Sequence, residues 1–496
     1  MSIAQVRFPR GRQFALTWGI PDHFGGMTAA MLHRSRAFVR EGGGSLTVLT
    51  LDDRPDYPEL EWKLRAEGEL IDEMRLLNIW DWLREHGVKR KPGGHDAVTE
   101  LEPRADDEVH VRDGTVLCRR RSKDSGESAV DRFREDGSLL MTDRETDSKR
   151  VVVFYDESGA PVRSWKSVWA VYRYWLDALT EGKRSFIVID SKTAARFVHS
   201  YQRDNVITMH IMHGSHRRSG DSDALRASRR EPFEHAQEYD ALVTLTQRQR
   251  HDMLADGAHP NELFAIPNSR AQTPSVPASA HHRGRGVMLA SLTKRKRVDH
   301  AIRAVSVVRS RGFDVTLDIY GDGPERDRLQ QLVDELSLSD VVVLRPFERH
   351  AAARFADADF SLLSSTAEGL PLVLVEAMAY GCIPISYDIR YGPADIIADG
   401  RAGFLADDGD VESLARAILR EQTTTHDRLA RMRRRAQTIS LRYSDPVVSR
   451  QWARAMEIAL ESKRARRSGD VRPLVRARKS LGRLKRRIQR VTGLDR

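Results

Sequence analysis

The stretch FSLLSSTAEGLPLVLVEAMAYGCIPISYD (Phe360–Asp388) reads as strand, turn, helix and strand in succession. Its first run, Phe360–Ser365, and its last, Ile383–Asp388, are short and nearly apolar, as in strands covered on both faces. Between them PLVLVEAMAYG reads as a helix closed by Gly381. Such a unit points to a parallel sheet.

The alternation recurs outward from this unit. Further strands are expected at Val287–Leu292, Val315–Gly321 and Val341–Phe347 in the second half. The first half offers Phe14–Ile20, Leu46–Leu51, Phe186–Asp190, Val206–His213 and Ala241–Thr246. The prediction is an α/β protein with two Rossmann-like domains, 1–270 and 286–443. The Pro-, Ser- and Ala-rich segment 271–285 reads as their linker, and a cleft between them is the expected ligand site.

One segment breaks the pattern. Asp113–Gly114, Asp136–Gly137 and Ser158–Gly159 are hairpin signals some 22–23 residues apart. They predict a β-meander, 95–168, inserted into the first domain. At the other end, Ser444 as N-cap and Pro446 in the first turn open a terminal helix, 444–462, that returns to the first domain.

Composition bounds the function. The 496 residues carry 40% apolar and 31% charged side chains, with no apolar run near the ~20 residues of a membrane span. The N-terminus lacks a signal-peptide apolar region. Two distant cysteines, Cys118 and Cys382, argue for a reducing cytoplasm and against a cysteine metal site. The net charge of +10 is concentrated in 463–496, which has 14 Lys and Arg against 2 Asp and Glu, leaving the body at −2. The high pI therefore does not mark a nucleic-acid-binding body. In the tail, Leu474, Leu481, Leu484, Ile488 and Val491 recur on one helix face amid basic residues. That pattern suits peripheral docking on the anionic inner face of a membrane.

Two carboxylates, Glu368 and Glu376, stand eight residues apart in the opening stretch. The turn Glu368–Pro371 precedes a helix N-terminus, whose free N–H groups favour a phosphate. Glu376, about two turns into that helix, can accept two hydrogen bonds from a vicinal diol such as a ribose.

The stretch resembles the E-x7-E motif of retaining family-4 glycosyltransferases of the GT-B fold. The resemblance implies that Glu368 contacts the donor sugar and Glu376 the nucleotide ribose. It gives the Gly369, Leu370 and Leu372 amides to sugar hydroxyls and diphosphate; Pro371 has no N–H to offer. YGDGPERDRLQQLV (Tyr320–Val333) looks like the family's G-x-G-P-E-R turn, bringing in Gly321 and Gly323. LASLTKRKRVDHAIRAV resembles the diphosphate-binding loop and places Lys296 as its lysine. Ser291 stands where the family has an arginine, with Arg295 and Arg297 nearby as substitutes. Gly25–Gly26 resembles the family's glycine-rich loop. His213 matches its active-site histidine, with His210 and His216 as near alternatives.

No metal is expected. The histidine spacing lies on strand and loop without an acidic ligand, and Asp221–Asp223 and Asp357–Asp359 are short acidic patterns of a kind common by chance. The ending YDIRYGP (Tyr387–Pro393) is similar to poly(glycerol-phosphate) α-glucosyltransferases and related wall teichoic acid enzymes, and brings Tyr391 forward as an acceptor contact. Those relatives also carry a β-rich insertion, which can mediate oligomerisation.

The resemblance implies a cytoplasmic, retaining transferase. It would move a hexose or N-acetylhexosamine from a UDP-sugar, its only cofactor-like requirement, to an anionic polyol-phosphate polymer. The alternatives are transfer to a membrane lipid or exopolysaccharide intermediate, and a non-catalytic polymer-binding scaffold.

Overall fold

The computed structural model describes residues 5–92, 97–122, 128–146, 149–218, 224–271 and 281–468. Most of the expected linker, the Asp221–Asp223 pattern and the tail beyond Ser468 lie outside the described residues. The chain divides into two compact units. The N-terminal unit is Pro9–His210 with Glu238–Asp240; the C-terminal unit is Met1–Phe8, Ile211–Gln237 and Ala241–Arg496.

The N-terminal unit begins with β1 (Arg12–Leu16), β2 (Leu46–Thr50) and β3 (Met74–Asn78). The insertion follows as β4 (Glu108–Arg112), β5 (Thr115–Ser122), β6 (Ser128–Phe133), β7 (Leu139–Glu145), β8 (Arg150–Tyr155) and β9 (Pro161–Trp165). Then come β10 (Ser185–Ile189) and β11 (Val206–Met212). The parallel strands lie in the order β11-β10-β1-β2-β3. β10 and β11 are buried along their whole length, as their apolar runs imply. β3 escapes an apolar-run search because it alternates buried and exposed positions, with Arg75 facing out at the end of the sheet order.

The insertion is the expected meander: six antiparallel strands, each paired with the next in sequence. Asp113 (φ 48°) and Gly114 (φ 80°) supply the two left-handed residues of the first hairpin turn. Its many charges are paired rather than merely solvated. Arg121 meets Asp107 at 2.6 Å, Arg144 meets Asp131 at 2.6 Å and Arg150 meets Asp143 at 2.6 Å, with the acidic side chains almost fully buried in each pair. Pairing is what allows acidic residues such as Asp131 to sit inside a sheet.

The C-terminal unit holds β12 (Ala241–Thr244) and β13 (Leu263–Ala265), a parallel pair. It then builds a second parallel sheet from β14 (His282–Leu289), β15 (Thr316–Tyr320), β16 (Val342–Arg345), β17 (Ala358–Leu363), β18 (Ile383–Tyr387) and β19 (Phe404–Ala406). Its order is β16-β15-β14-β17-β18-β19, so the direction of winding changes between β14 and β17. The carboxyl ends of strands at such a switch point are where ligands bind in doubly wound sheets. The helices Val298–Ser310 and Val411–Gln422 pack together, as do Leu372–Ala379 and His426–Ser440. The main core joins Val298, Ile302 and Val305 to Leu317, Ile319, Phe360, Leu362, Ile385, Leu414 and Ile418.

The terminal helix runs from Asp445 to Ser468, beyond the expected end at 462. Ser462, Lys463 and Ala465 are buried on it. Ser444 precedes it and its carbonyl accepts the Val448 N–H at 3.0 Å, but its hydroxyl donates back to Leu441 rather than capping the helix.

Candidate active site

The candidate site is built at the carboxyl ends of β14 and β17. After β17, the Ser364 hydroxyl donates to the carbonyls of Lys296 (2.9 Å) and Arg297 (2.7 Å). The Thr366 N–H donates to the Arg295 carbonyl at 2.8 Å. These bonds stitch the Lys294–Lys296 turn along the segment that leads into Glu368.

Two cations then converge on one carboxylate. Lys296 Nζ lies 2.6 Å from Glu368 Oε1, with side chains only 15% and 14% exposed. Arg295 donates to the same oxygen at 3.0 Å and to the Ala367 carbonyl at 3.0 Å while remaining half exposed. A carboxylate this far buried needs such pairing. Arg297 does not join them. Its guanidinium donates to Asp408 at 2.6 Å and lies beside Gly409, and its backbone takes a left-handed φ of 44°. Of the two arginines offered as substitutes for the one missing at exposed Ser291, only Arg295 reaches Glu368.

The helix bearing the second glutamate starts at Leu372, so Glu376 stands about one turn in rather than two. Pro371 occupies its N-cap and offers no side-chain cap, so the first-turn N–H groups, including that of Leu372, are not capped from that position. Glu376 is half-buried and acts on Arg270, whose charge burial disfavours and Glu376 favours. Arg270 is far away in sequence, and no local pattern marks it as a neighbour of Glu376.

Gly369 and Leu370 form the turn between Glu368 and this helix. A Cβ on Gly369 would stand 2.1 Å from the His213 carbonyl oxygen, so only glycine lets these two backbones meet. His213 is thereby held beside Glu368–Gly369 and is half-buried. Its two alternatives are fully buried. His210 bonds the Ile189 carbonyl through Nδ1 at 3.0 Å. His216 is stacked on Phe233 and Tyr391 and bonds Asp256 at 2.9 Å.

Gly321 and Gly323 serve close packing. Cβ atoms there would stand 1.9 Å from the Ala290 oxygen and 2.4 Å from the Leu292 oxygen, so the β15 exit loop can lie against the β14 exit loop. Gly25 and Gly26 belong to the N-terminal unit, where Gly25 caps the helix Gly26–Gly42 without a side chain and neither glycine is crowded.

Tyr391 corrects the sequence expectation. It is fully buried, so its side chain has no surface for an acceptor. Its hydroxyl donates to Asp252 at 2.9 Å and its ring lies nearly parallel to His216, centroids 5.9 Å apart. Burial and then Asp252 push its phenol pKa up, keeping it a neutral donor. Burial lowers the His216 pKa despite Asp256, so the neutral ring donates through Nε2. Arg217 closes the group with bonds of 2.7 and 2.6 Å to Asp256. The Tyr391 N–H donates to the Glu368 carbonyl at 3.3 Å, and Gly392 (φ 112°) lies under Pro371. The YGP turn thus braces the Glu368–Pro371 turn from beneath. Asp252, Asp256 and Arg217 carry no signal in the sequence beyond ordinary helix and loop residues.

The Asp357–Asp359 pattern is committed to arginines. Asp357 pairs with Arg285, and Asp359 pairs with Arg433 and accepts the Gly284 N–H at 2.8 Å.

Comparison with known proteins agrees with this architecture. Residues 276–438 match the family described as glycosyl transferases group 1. The chain is 22% identical over 457 residues to a poly(ribitol-phosphate) alpha-N-acetylglucosaminyltransferase of Staphylococcus aureus, covering 82% of this chain and 91% of that protein. It is 24% identical over 296 residues to a poly(glycerol-phosphate) alpha-glucosyltransferase of Bacillus subtilis, covering 58% of this chain and 43% of that one. A crystal structure of a S. aureus TarM mutant in complex with fondaparinux, alpha-GlcNAc-glycerol and UDP superposes with a TM-score of 0.67 at 20% identity, covering 90% of this chain and all of that one. Residues 276–438 thus carry the group 1 glycosyltransferase match, and the two parallel sheets have the fold of GT-B glycosyltransferase structures.

Proposed function

We propose that this protein transfers a hexosyl or N-acetylhexosaminyl group from a UDP-sugar to a polyol-phosphate acceptor, with retention of anomeric configuration. The observation that carries the proposal is the convergence of Lys296 and Arg295 on Glu368, one turn and a short loop from Glu376. The TarM crystal structure contains UDP, and the relatives' names give polyol-phosphate acceptors.

The chemical difficulty is charge. As the sugar–phosphate bond breaks, positive charge grows on the sugar and negative charge on the departing diphosphate. Lys296 and Arg295, together with the uncapped amides at Leu372, meet the negative side. Glu368, relieved of part of its pairing when the cations turn to phosphate, holds the donor-sugar hydroxyls. Glu376 takes the ribose diol, and positioning supplies the remainder. His213, fixed beside Gly369, contacts the sugar. No metal is required where cations and amides neutralise the diphosphate.

The basic segment beyond Ser468, the part of the expected 463–496 tail that lies past the terminal helix, docks the protein on an anionic membrane surface or on the polyanionic acceptor, and the insertion supports self-association. No helix among the described residues is long and apolar enough to cross a membrane. The test is label transfer from UDP-sugars to polyol-phosphate polymers, with donor hydrolysis measured alongside.

A further inference from the structure

A second constellation stands at the carboxyl ends of β1, β2 and β3 in the N-terminal unit. These strands are adjacent, so their exit loops lie side by side. The Leu51 and Asp52 N–H groups both donate to the Trp18 carbonyl, at 2.8 and 3.0 Å, and Asn78 Nδ2 donates to the Asp52 carbonyl at 3.0 Å. The Asp52 carboxylate is pressed against Gly19, where a Cβ would stand 2.1 Å from Oδ2. Oδ1 accepts the Tyr57 hydroxyl, while Oδ2 has no side-chain partner among the described residues. Trp18, whose carbonyl takes both of those N–H groups, has 37% of its surface exposed, and its ring meets Tyr172 edge to face at 6.3 Å.

The nearby cation is already neutralised. Arg54 binds Asp56 through Nε and Nη2, each at 2.6 Å, and also pairs with Asp22. The edge therefore suits hydroxyl groups better than phosphate. An indole with exposed surface can pack on the C–H face of a sugar or polyol, and a carboxylate oxygen accepts its hydroxyls.

The next residue explains what fixes Asp52. Asp53 is almost fully buried and receives two bonds from Arg132, at 2.6 and 2.8 Å, and one from Arg120 at 2.6 Å. His110 Nδ1 lies 2.6 Å from the Asp53 carbonyl, and Arg112 donates to the Pro55 carbonyl at 2.5 Å. Arg132 also lies 3.6 Å over the Trp80 ring. These four residues come from β4, β5 and β6, so three strands of the insertion grip the loop that follows β2.

We propose that Trp18 and Asp52 form a hydroxyl-recognition subsite for the polyol-phosphate acceptor, and that the inserted meander sets the position of Asp52 by holding Asp53. This rests on the glycosyl-transfer reading for the identity of its ligand. Asp53, Arg120 and Arg132 are positioning residues. Burial pushes the Asp52 pKa up to about 6, with Asp53 adding to the rise and Tyr57 and Arg54 opposing it, as expected of a carboxyl set into a loop rather than projecting from it.

The test is equilibrium binding of soluble poly(glycerol phosphate) and poly(ribitol phosphate) to the full chain by titration calorimetry. Donor hydrolysis by the wild-type protein is measured separately. D52N and W18A are expected to weaken binding of at least one polymer by about tenfold or more. R132A should weaken it similarly and R132K should restore part, with unchanged far-UV circular dichroism. Binding unaltered in both D52N and W18A, or no binding by the wild type, overturns the proposal. Polymer binding without any UDP-sugar hydrolysis or transfer supports the subsite and defeats the glycosyl-transfer reading alone.

Discussion

Glu368 is held by two cations that a diphosphate would also attract, and the three side chains divide the work unequally. Lys296 is the better buried, so its loss should be felt most. Lys296→Ala is expected to lower kcat by about 10²–10³, as for loss of one preorganised charge partner. Arg297→Ala should change kcat/KM by no more than about fivefold, since its partner is Asp408 in an exposed pair. Steady-state transfer assays on both variants check the split. At this scale the sequence spoke only through resemblance: spacing alone placed two acids near a helix start but could not join them to Lys296. Tyr391 was brought forward as an acceptor contact by the resemblance of its turn, which carries no information on its burial. Nothing in its neighbours announces the Asp252 and His216 partners that bury it.

The elements that carry the site are short, and their turns admit little change. Gly369→Ala would drive a methyl group into the His213 carbonyl, which as backbone cannot step aside. Transfer activity should fall sharply while far-UV circular dichroism stays near wild type. Tyr391→Phe leaves Asp252 without its hydroxyl donor and is expected to cost about 1–3 kcal/mol in denaturant unfolding. Since the backbone bond from residue 391 to Glu368 survives, the folded fraction should keep most of its turnover. Fully covered strands such as β10, β17 and β18 were legible because burial on both faces writes a continuous apolar run. β3 and the three-residue β19 were not, one being half-exposed at the end of its sheet and the other too short for a pattern. The meander was legible from its glycine turns, whereas its grip on Asp53 was not, because Arg120, Arg132 and His110, on three different strands, meet only after pairing.

For the whole molecule, a buried charge cluster sets how stability varies with pH. Glu421 is fully buried, near Asp359, and its pKa is pushed up to about 8 by burial and by that carboxylate, with Arg283 and Arg433 opposing. A folded-state pKa above the unfolded value means the folded chain holds the proton more tightly. That contribution is complete below the ordinary carboxylate range and is lost as pH rises through about 8. The Tm difference between wild type and Glu421→Gln should therefore shift against the wild type as pH rises between about 5 and 9. Truncation after Ser468 keeps the buried end of the terminal helix, so it should spare turnover on short acceptors and reduce binding to anionic vesicles; equal loss of both would refute that separation. The central claim is tested most directly by offering the full chain a panel of labelled UDP-sugars with poly(glycerol phosphate) and poly(ribitol phosphate), beside a Glu368→Ala control. Transfer of one sugar to one polymer, with the anomeric configuration kept and the signal abolished in the control, is the expected result. Transfer that persists undiminished in Glu368→Ala, or no transfer of any sugar to either polymer, would contradict it.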